Sequence, residues 1–221
     1  MPVNYILLKE KEQEIISEFL NFYDQTLKII ADFEEYLLEN KNKEVSLDDH
    51  LYDEIVDKVR KNELVGQDLL SNCIWTIQKN EPRASHLRFI IAIIYSIRNL
   101  NNITRYASKI FKWSNKEKIK PEFLKVLLDS LQITYQRSLK IYSYIANNNW
   151  NEMKDIYETE SEEYHTKMKH TISLISTENG NKWKLNNKEL IEYIYVIGRI
   201  ERIVDLQDNI ITDLSDLNEY R

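Results

Sequence analysis

The chain has 221 residues, which is long enough for one large hydrophobic core or two small ones. It contains only three glycines and three prolines, too few for the frequent turns of an all-β fold, so long helices joined by short loops are predicted. The formal net charge is −6 with both signs interspersed, which argues against nucleic acid as the main partner, because duplex binding depends on a basic face.

The cysteine content and the hydropathy pattern indicate a cytoplasmic protein. Cys73 is the only cysteine, so no intrachain disulfide forms and a reducing compartment fits. The most apolar run, Phe89 to Ile97, is far shorter than the roughly 20 residues that span a bilayer. The first dozen residues lack the basic start and apolar stretch of a secretory signal. We therefore expect no direct insertion into a membrane.

Apolar residues in the first half of the chain predict three helices. A stripe with alternating spacings of three and four predicts a helix from about residue 4 to 40. A second helix is expected from Ser46, as a hydroxyl N-cap, to about Lys79. Pro82 then interrupts the pattern, and a third helix is expected from about Ala84 to Lys112.

The second half repeats this plan, with helices predicted at Pro121 to Ala146, Trp150 to Ile175 and Lys188 to Leu217. The third and sixth helices match each other at an offset of one hundred residues. The matched pairs are Ile91 and Ile191, Ile94 and Ile194, Tyr95 and Tyr195, Ile97 and Ile197, Leu100 and Ile200, Ile103 and Ile203, and Ile110 and Ile210. The expected fold is all-α, with six helices in two tandem, related three-helix bundles, residues 1–117 and 118–221.

Two segments resemble known motifs. The first reads Glu-Pro-Arg-Ala-Ser-His-Leu-Arg at 81–88 and is similar to the Gln-Pro-x-Ala-x-Asp-Leu-Arg motif of the PhoU family of phosphate-uptake regulators. The second reads Arg-Ile-Glu-Arg-Ile-Val-Asp at 199–205, followed by Asp-Asn-Ile at 208–210, and is similar to the family's Glu-Arg-Ile-Gly-Asp signature with its downstream Asn-Ile. The six-helix plan extends this resemblance over nearly the whole chain.

The resemblance implies a cytoplasmic regulator, often a homodimer, that represses phosphate-starvation signalling. It implies action on a phosphate ABC transporter through the transporter's ATPase subunit and, where present, a sensor kinase. Such a protein would lie peripherally at the inner face of the membrane through the transporter. Family members also bind clustered metal ions, commonly iron, through Glu/Asp-x-x-x-Asp motifs in each half.

A metal site is expected in the second half only. Glu201, Asp205 and Asp208 lie at i, i+4 and i+7, a spacing that places carboxylates on one helical face about 5–6 Å apart at Cβ. Hard oxygen ligands of this kind suit iron or another divalent or trivalent cation. Comparison with the family favours Glu160 on the facing helix as a further ligand, and Tyr164 stands where a second acid is expected.

The corresponding site in the first half is expected to be lost. Asn101 stands in place of the family's glutamate, Arg105 in place of its aspartate, and His86 in place of the aspartate before Leu-Arg. A guanidinium repels a cation and cannot ligate one, so a polar or salt-bridged surface is expected there. His165 and His170 are five residues apart and do not share a helical face, which argues against a role as ligands.

No residue is nominated as catalytic. The three glycines are isolated, so no phosphate-binding loop is present, and Cys73 stands in an apolar context that predicts a buried, unreactive thiol. Three functions remain open at this point. The first is a phosphate-uptake regulator without enzymatic activity; the second is a helical scaffold that kept the fold and lost regulation. The third is a carboxylate-bridged metalloprotein, against which Asn101 and Arg105 count.

Overall fold

A computed structural model describes residues 5–41, 43–215 and 217 of the chain. Within this part there are six long helices, a short π-helical stretch and a short helix, with an isolated β-bridge between Val45 and Ile119 and no strand. The elements are α1 Tyr5–Glu39, α2 Asp49–Asn80, α3 Ser85–Lys116, α4 Pro121–Ala146, α5 Trp150–Leu174, the π-helix Ile175–Asn179, α6 Gly180–Lys182 and α7 Asn187–Ser215. The prediction of an all-α fold with six long helices is confirmed.

The start of α2 differs from the prediction by a few residues. Asp48, not Ser46, is the N-cap, and its carboxylate accepts hydrogen bonds from the backbone N–H groups of His50 and Leu51. Such a cap satisfies donors that the first helical turn leaves without partners. Ser46 instead belongs to the connection from α1, where its carbonyl accepts a hydrogen bond from the Tyr36 hydroxyl at 2.7 Å.

The helices pack as two groups that share a core. Helices α1, α2 and α3 pack on one another, as do α4, α5 and α7, and the groups meet where α3 packs on α7 and α1 packs on α4. The buried apolar residues form one continuous cluster that includes Phe19 and Phe33 of α1, Ile110 of α3 and Ile210 of α7. Because this cluster crosses from one group to the other, the two groups stabilise each other.

An aromatic cluster fixes the connection between the two groups. Trp113 of α3 packs edge-on against Phe123 of α4 and Tyr193 of α7, at centroid distances of 6.0 and 5.9 Å. Phe123 and Tyr193 stack at 3.7 Å, and the Tyr193 hydroxyl accepts a hydrogen bond from the backbone N–H of Lys120. This packing explains why α3 extends past Lys112, its predicted end.

The helix lengths do not reflect membrane spans. Among the described residues, no helix combines the length and the apolar character that crossing a bilayer requires.

Candidate functional site

A buried ion pair connects α4 to α7 and includes one of the nominated acids. The Arg137 side chain of α4 donates to the Asp208 carboxylate of α7, and the two residues are 1% and 8% exposed. Arg137 also donates to the Val204 carbonyl at 3.5 Å. A charged group is costly to bury without a partner, so each of these side chains requires the other in the folded state.

Helix α5 supplies two further partners to Asp208. The Ser161 hydroxyl donates to one carboxylate oxygen at 2.5 Å, and His165 Nε2 lies 2.9 Å from the same oxygen. On its other side, His165 Nδ1 lies 3.7 Å from a carboxylate oxygen of Asp205. His165 therefore lies between two acids of α7, a contact that its spacing from His170 on α5 does not indicate. Spacing between histidines of one helix says nothing about acids on the helix that faces them.

The other nominated acids point to different partners. Asp205 accepts a hydrogen bond at 2.6 Å from Arg202, one turn before it on α7. Glu201 is half-buried and interacts electrostatically with the same Arg202. Glu160 of α5 pairs with Lys140 of α4, in the groove between those two helices. The structure thus brings Asp205 and Asp208 together around His165, while Glu160 pairs with Lys140 of α4.

Tyr164 lies between the buried ion pair and that groove. Its ring stacks on the Arg137 guanidinium, with 4.8 Å from the guanidinium carbon to the ring centroid. The groove has a volume of about 690 Å³, and Tyr164 lines it together with Lys140, Glu160 and Lys167. Burial, aided by the nearby Glu160, raises the pKa of the Tyr164 hydroxyl. Tyr164 therefore shields the cation of the ion pair and stays neutral at ordinary pH.

A second set of polar contacts joins α7 to α4 at a point beside α1. The Gln207 amide of α7 donates to the Thr134 carbonyl at 2.9 Å and to the Ser138 hydroxyl at 2.5 Å, both on α4. Tyr23 of α1 lies beside Ser138 and Arg137, and burial raises the pKa of its hydroxyl. The polar cluster therefore lies at the junction of the two helical groups, where its hydrogen bonds fix the relative positions of α4 and α7.

The donor set does not fit a metal ion. Asp208 already accepts from a guanidinium and a hydroxyl, and a cationic guanidinium beside the carboxylates repels a further cation. Asp205 and Glu160 are held by Arg202 and Lys140. Across residues 5–41, 43–215 and 217, no three His, Cys, Asp or Glu side chains are grouped so as to hold a metal ion. The geometry gives the iron-site hypothesis no support.

The matching positions of the first half carry ion pairs of their own. Arg105 of α3 lies 3.3 Å from the Glu63 carboxylate of α2, and His86 Nδ1 lies 2.8 Å from Glu12 of α1. Arg105 corresponds to Asp205 at the offset of one hundred residues. Arg105 of α3 thus pairs with an acid of α2, whereas Asp205 of α7 pairs with Arg202 of its own helix and lies near His165 of α5. Asn101 is half-buried close to Gly66.

Comparisons with known proteins establish the fold of the chain but do not assign it to a family. No family model matches the chain. An uncharacterized protein of Mycoplasma genitalium, MG409, is 34% identical over 112 residues, and its Mycoplasma pneumoniae homolog is 31% identical over 112 residues. The chain spans about half the length of these curated relatives, since the matches cover 50% of the chain and 48% of each relative.

A solved structure resembles the whole chain. The crystal structure of the phosphate transport system regulatory protein PhoU from Streptococcus pneumoniae matches it with a TM-score of 0.76 over 96% of both chains, at 18% sequence identity. At that identity the match shows the architecture alone. The chain therefore has the all-α fold of PhoU.

Proposed function

We propose that the chain regulates phosphate uptake by binding, from the cytoplasmic side, the ATPase subunit of a phosphate ABC transporter. The observation that carries this proposal is the likeness in fold, along 96% of both chains, to a phosphate transport system regulatory protein. Two PhoU-like segments support it. The segment at 81–88 leads into α3 and the segment at 199–205 lies within α7, and these two helices pack on each other where the two groups meet. The same resemblance favours a sensor kinase as a second partner and self-association into a homodimer.

The chemistry of the described residues supports a binding role without catalysis. Arg137, Ser161 and His165 all contact the Asp208 carboxylate, an arrangement that suits positioning of helices better than attack on a substrate. Cys73 is fully buried, and this burial raises the pKa of its thiol to about 12. Because the thiolate is the nucleophile, the thiol of Cys73 is unreactive near neutral pH.

A scaffold that kept the fold and lost regulation is the second candidate. Two observations favour it: Asn101 and Arg105 replace the acids of the first-half signature, and no family model matches the chain. The two candidates differ in one measurable property, since only the regulator binds a subunit of the transporter.

Calorimetric titration separates the regulator from the scaffold. The purified chain is titrated with the host's phosphate-transporter ATPase subunit, once with added iron and once without. The regulator proposal predicts saturable binding in both conditions, because the carboxylates of the candidate site are already engaged by Arg137, Arg202 and Lys140. Absence of binding in both conditions would favour the scaffold. Binding only in the presence of iron would instead support a metal site among the second-half acids.

A further inference from the structure

Helix α3 has a charge unlike that of the rest of the molecule. Over its 32 residues it carries six basic side chains and no acidic one, although the whole chain has a net charge of −6. All six are exposed: Arg88, Arg98, Arg105, Lys109, Lys112 and Lys116. A one-signed stripe on an acidic protein creates a local field that attracts a partner of opposite charge.

Cations and aromatic rings continue this stripe from α3 onto α7. The Lys109 ammonium lies 5.0 Å from the ring centroid of Tyr106, and the Arg199 guanidinium lies 4.1 Å from that of Tyr195. Lys109 also interacts electrostatically with Tyr195, and Arg202 with Tyr106, so the two helices form one surface. We name this surface the basic face and define it by Arg98, Tyr106, Lys109, Tyr195, Arg199 and Arg202.

Among the described residues, one of the four cations of the basic face, Arg202, forms an ion pair with an acid. In the part of the chain that the structure describes, Arg202 pairs with Asp205, while no carboxylate lies within 4 Å of a cationic nitrogen of Arg98, Lys109 or Arg199. Tyr195 is 59% exposed. Tyrosine and arginine are enriched at protein interfaces, where a rigid ring and a planar cation contribute much of the binding energy.

Gly198, in the interior of α7, is the second observation that points to a partner. Apart from its chain neighbours and the adjacent backbone of α7 itself, a Cβ at this position would meet no atom within 4 Å, so packing against other elements does not require glycine there. Gly66 differs, because a Cβ there would lie 2.9 Å from the Phe22 ring. Glycine weakens a helix interior relative to alanine. Gly198 lies between Tyr195 and Arg202 on the basic face, where the missing side chain leaves room for the backbone of a partner to approach.

These features favour an acidic segment of another protein as the occupant. A second copy that used the same face in a two-fold symmetric contact would place like charges against each other. Ile191 is exposed one turn before Tyr195, so a lipid surface is kept as an outcome of the test. We propose that the basic face docks an acidic segment of the transporter's ATPase subunit; this inference rests on the function proposed above.

The test uses the full chain, the purified ATPase subunit, a double charge reversal on the basic face and a single charge reversal elsewhere as the control. Lys109→Glu with Arg199→Glu alters the basic face, while Lys79→Glu reverses an exposed lysine that lies 4.4 Å from the Trp75 ring on α2. Gly198→Trp fills the space without changing charge. Thermal unfolding of every variant shows that it is folded. We expect both basic-face variants to raise the Kd at least tenfold, and Lys79→Glu to leave it within twofold of wild type.

Each other outcome has a definite meaning. Equal binding by the wild type and both basic-face variants would overturn this inference and leave the proposed function standing. A wild-type chain that does not bind the ATPase subunit would overturn both. Vesicles of phosphatidylcholine and phosphatidylserine, and a duplex DNA, serve as competing probes. The double variant Lys109→Glu with Arg199→Glu could lose binding to the vesicles or to the DNA and still bind the ATPase subunit as the wild type does. That result would also overturn the inference.

Discussion

The Arg137 guanidinium of α4 donates to the Asp208 carboxylate of α7, and both residues are almost fully buried between the helices. Ser161 and His165 of α5 contact the same carboxylate, so three helices of the second half converge on one charged pair. Because a low-polarity interior strengthens such contacts and penalises their loss, this cluster determines how α4, α5 and α7 fit together.

Arg137→Ala should lower the free energy of unfolding by about 3–5 kcal/mol, because Asp208 would remain buried without its cation. Urea unfolding followed by circular dichroism measures this loss. Arg137→Met combined with Asp208→Leu should recover part of it, since no charge is left unpaired. The matched control is Asp205→Asn, which removes a largely exposed ion pair and should cost less than about 1 kcal/mol. A loss of similar size for Arg137→Ala and Asp205→Asn would contradict the assignment.

Substitution of the two helix-interior glycines should give opposite results. Gly198→Ala should stabilise the chain by about 0.5–1 kcal/mol, because alanine favours helix and the added Cβ meets nothing. Gly66→Ala should destabilise it, because the new Cβ would lie 2.9 Å from the buried Phe22 ring. Denaturant unfolding of the two variants side by side checks this. Destabilisation by Gly198→Ala would contradict the open space at Gly198, and stabilisation by Gly66→Ala would contradict the close contact with Phe22.

Cys73 should resist modification while the chain is folded. Burial raises the pKa of its thiol to about 12, so at pH 8 almost no thiolate forms in the folded state. We expect negligible reaction with a disulfide reagent at pH 8 and full reaction after addition of urea. Rapid modification of the native chain would show that the α2 region around Cys73 opens readily.

Alkaline pH should destabilise the chain for a related reason. Burial raises the pKa of both Cys73 and Tyr193 to about 12, above their values in an unfolded chain. Their favourable contribution to folding is complete below the unfolded pKa values, about 8.5 for Cys and 10 for Tyr, and is lost as the pH rises towards 12. The unfolding temperature should therefore fall between pH 9 and pH 12. Replacing Tyr193 with Phe should reduce the steepness of that fall, and an unchanged slope would argue against the role of this hydroxyl.

Iron should not bind stoichiometrically to the second-half acids. Arg137 and Arg202 engage Asp208 and Asp205, so adding iron should leave the unfolding temperature unchanged. Elemental analysis of the wild type and of Glu201→Ala with Asp205→Ala should give equal, substoichiometric iron. One equivalent of iron in the wild type that the double variant loses would contradict the geometry and restore the sequence-based hypothesis.

The fold was predictable because helical periodicity is a local property. Apolar residues at spacings of three and four mark the buried faces of α1 and α3, and Pro121 marks the start of α4, so six helices follow from the sequence. The position of the N-cap of α2 depends instead on the connection before it. Tyr36 and the Val45–Ile119 bridge hold that connection, and both are contacts between residues distant in sequence.

The candidate site was predictable only in part. Asp205 and Asp208 share a face of α7, as their spacing indicates, but the facing side chains depend on the rotation of α5 about its axis. Adjacent residues of a helix point about 100° apart, so Ser161 and Glu160 face different neighbours although they are consecutive. A signal for the buried ion pair was present, since Arg137 is a lone basic residue at a core spacing of α4.

The division of the chain at residues 117 and 118 stays a prediction. The aromatic contacts of Trp113 with Phe123 and Tyr193 cross that boundary, as does the shared core. We therefore expect neither half, expressed alone, to unfold cooperatively. Calorimetry of residues 1–117 and 118–221 as separate polypeptides checks this, and a sharp unfolding transition in either half would show that it folds by itself.

Phosphate uptake in living cells tests the central claim most directly. Radiolabelled phosphate uptake is measured in phosphate-replete host cells with the gene intact, deleted, or restored with the wild-type chain. A regulator that represses the starvation response predicts higher uptake in the deletion strain and a return to the original level on restoration. Equal uptake in all three strains would contradict a role in phosphate regulation and leave a helical scaffold with the fold of PhoU.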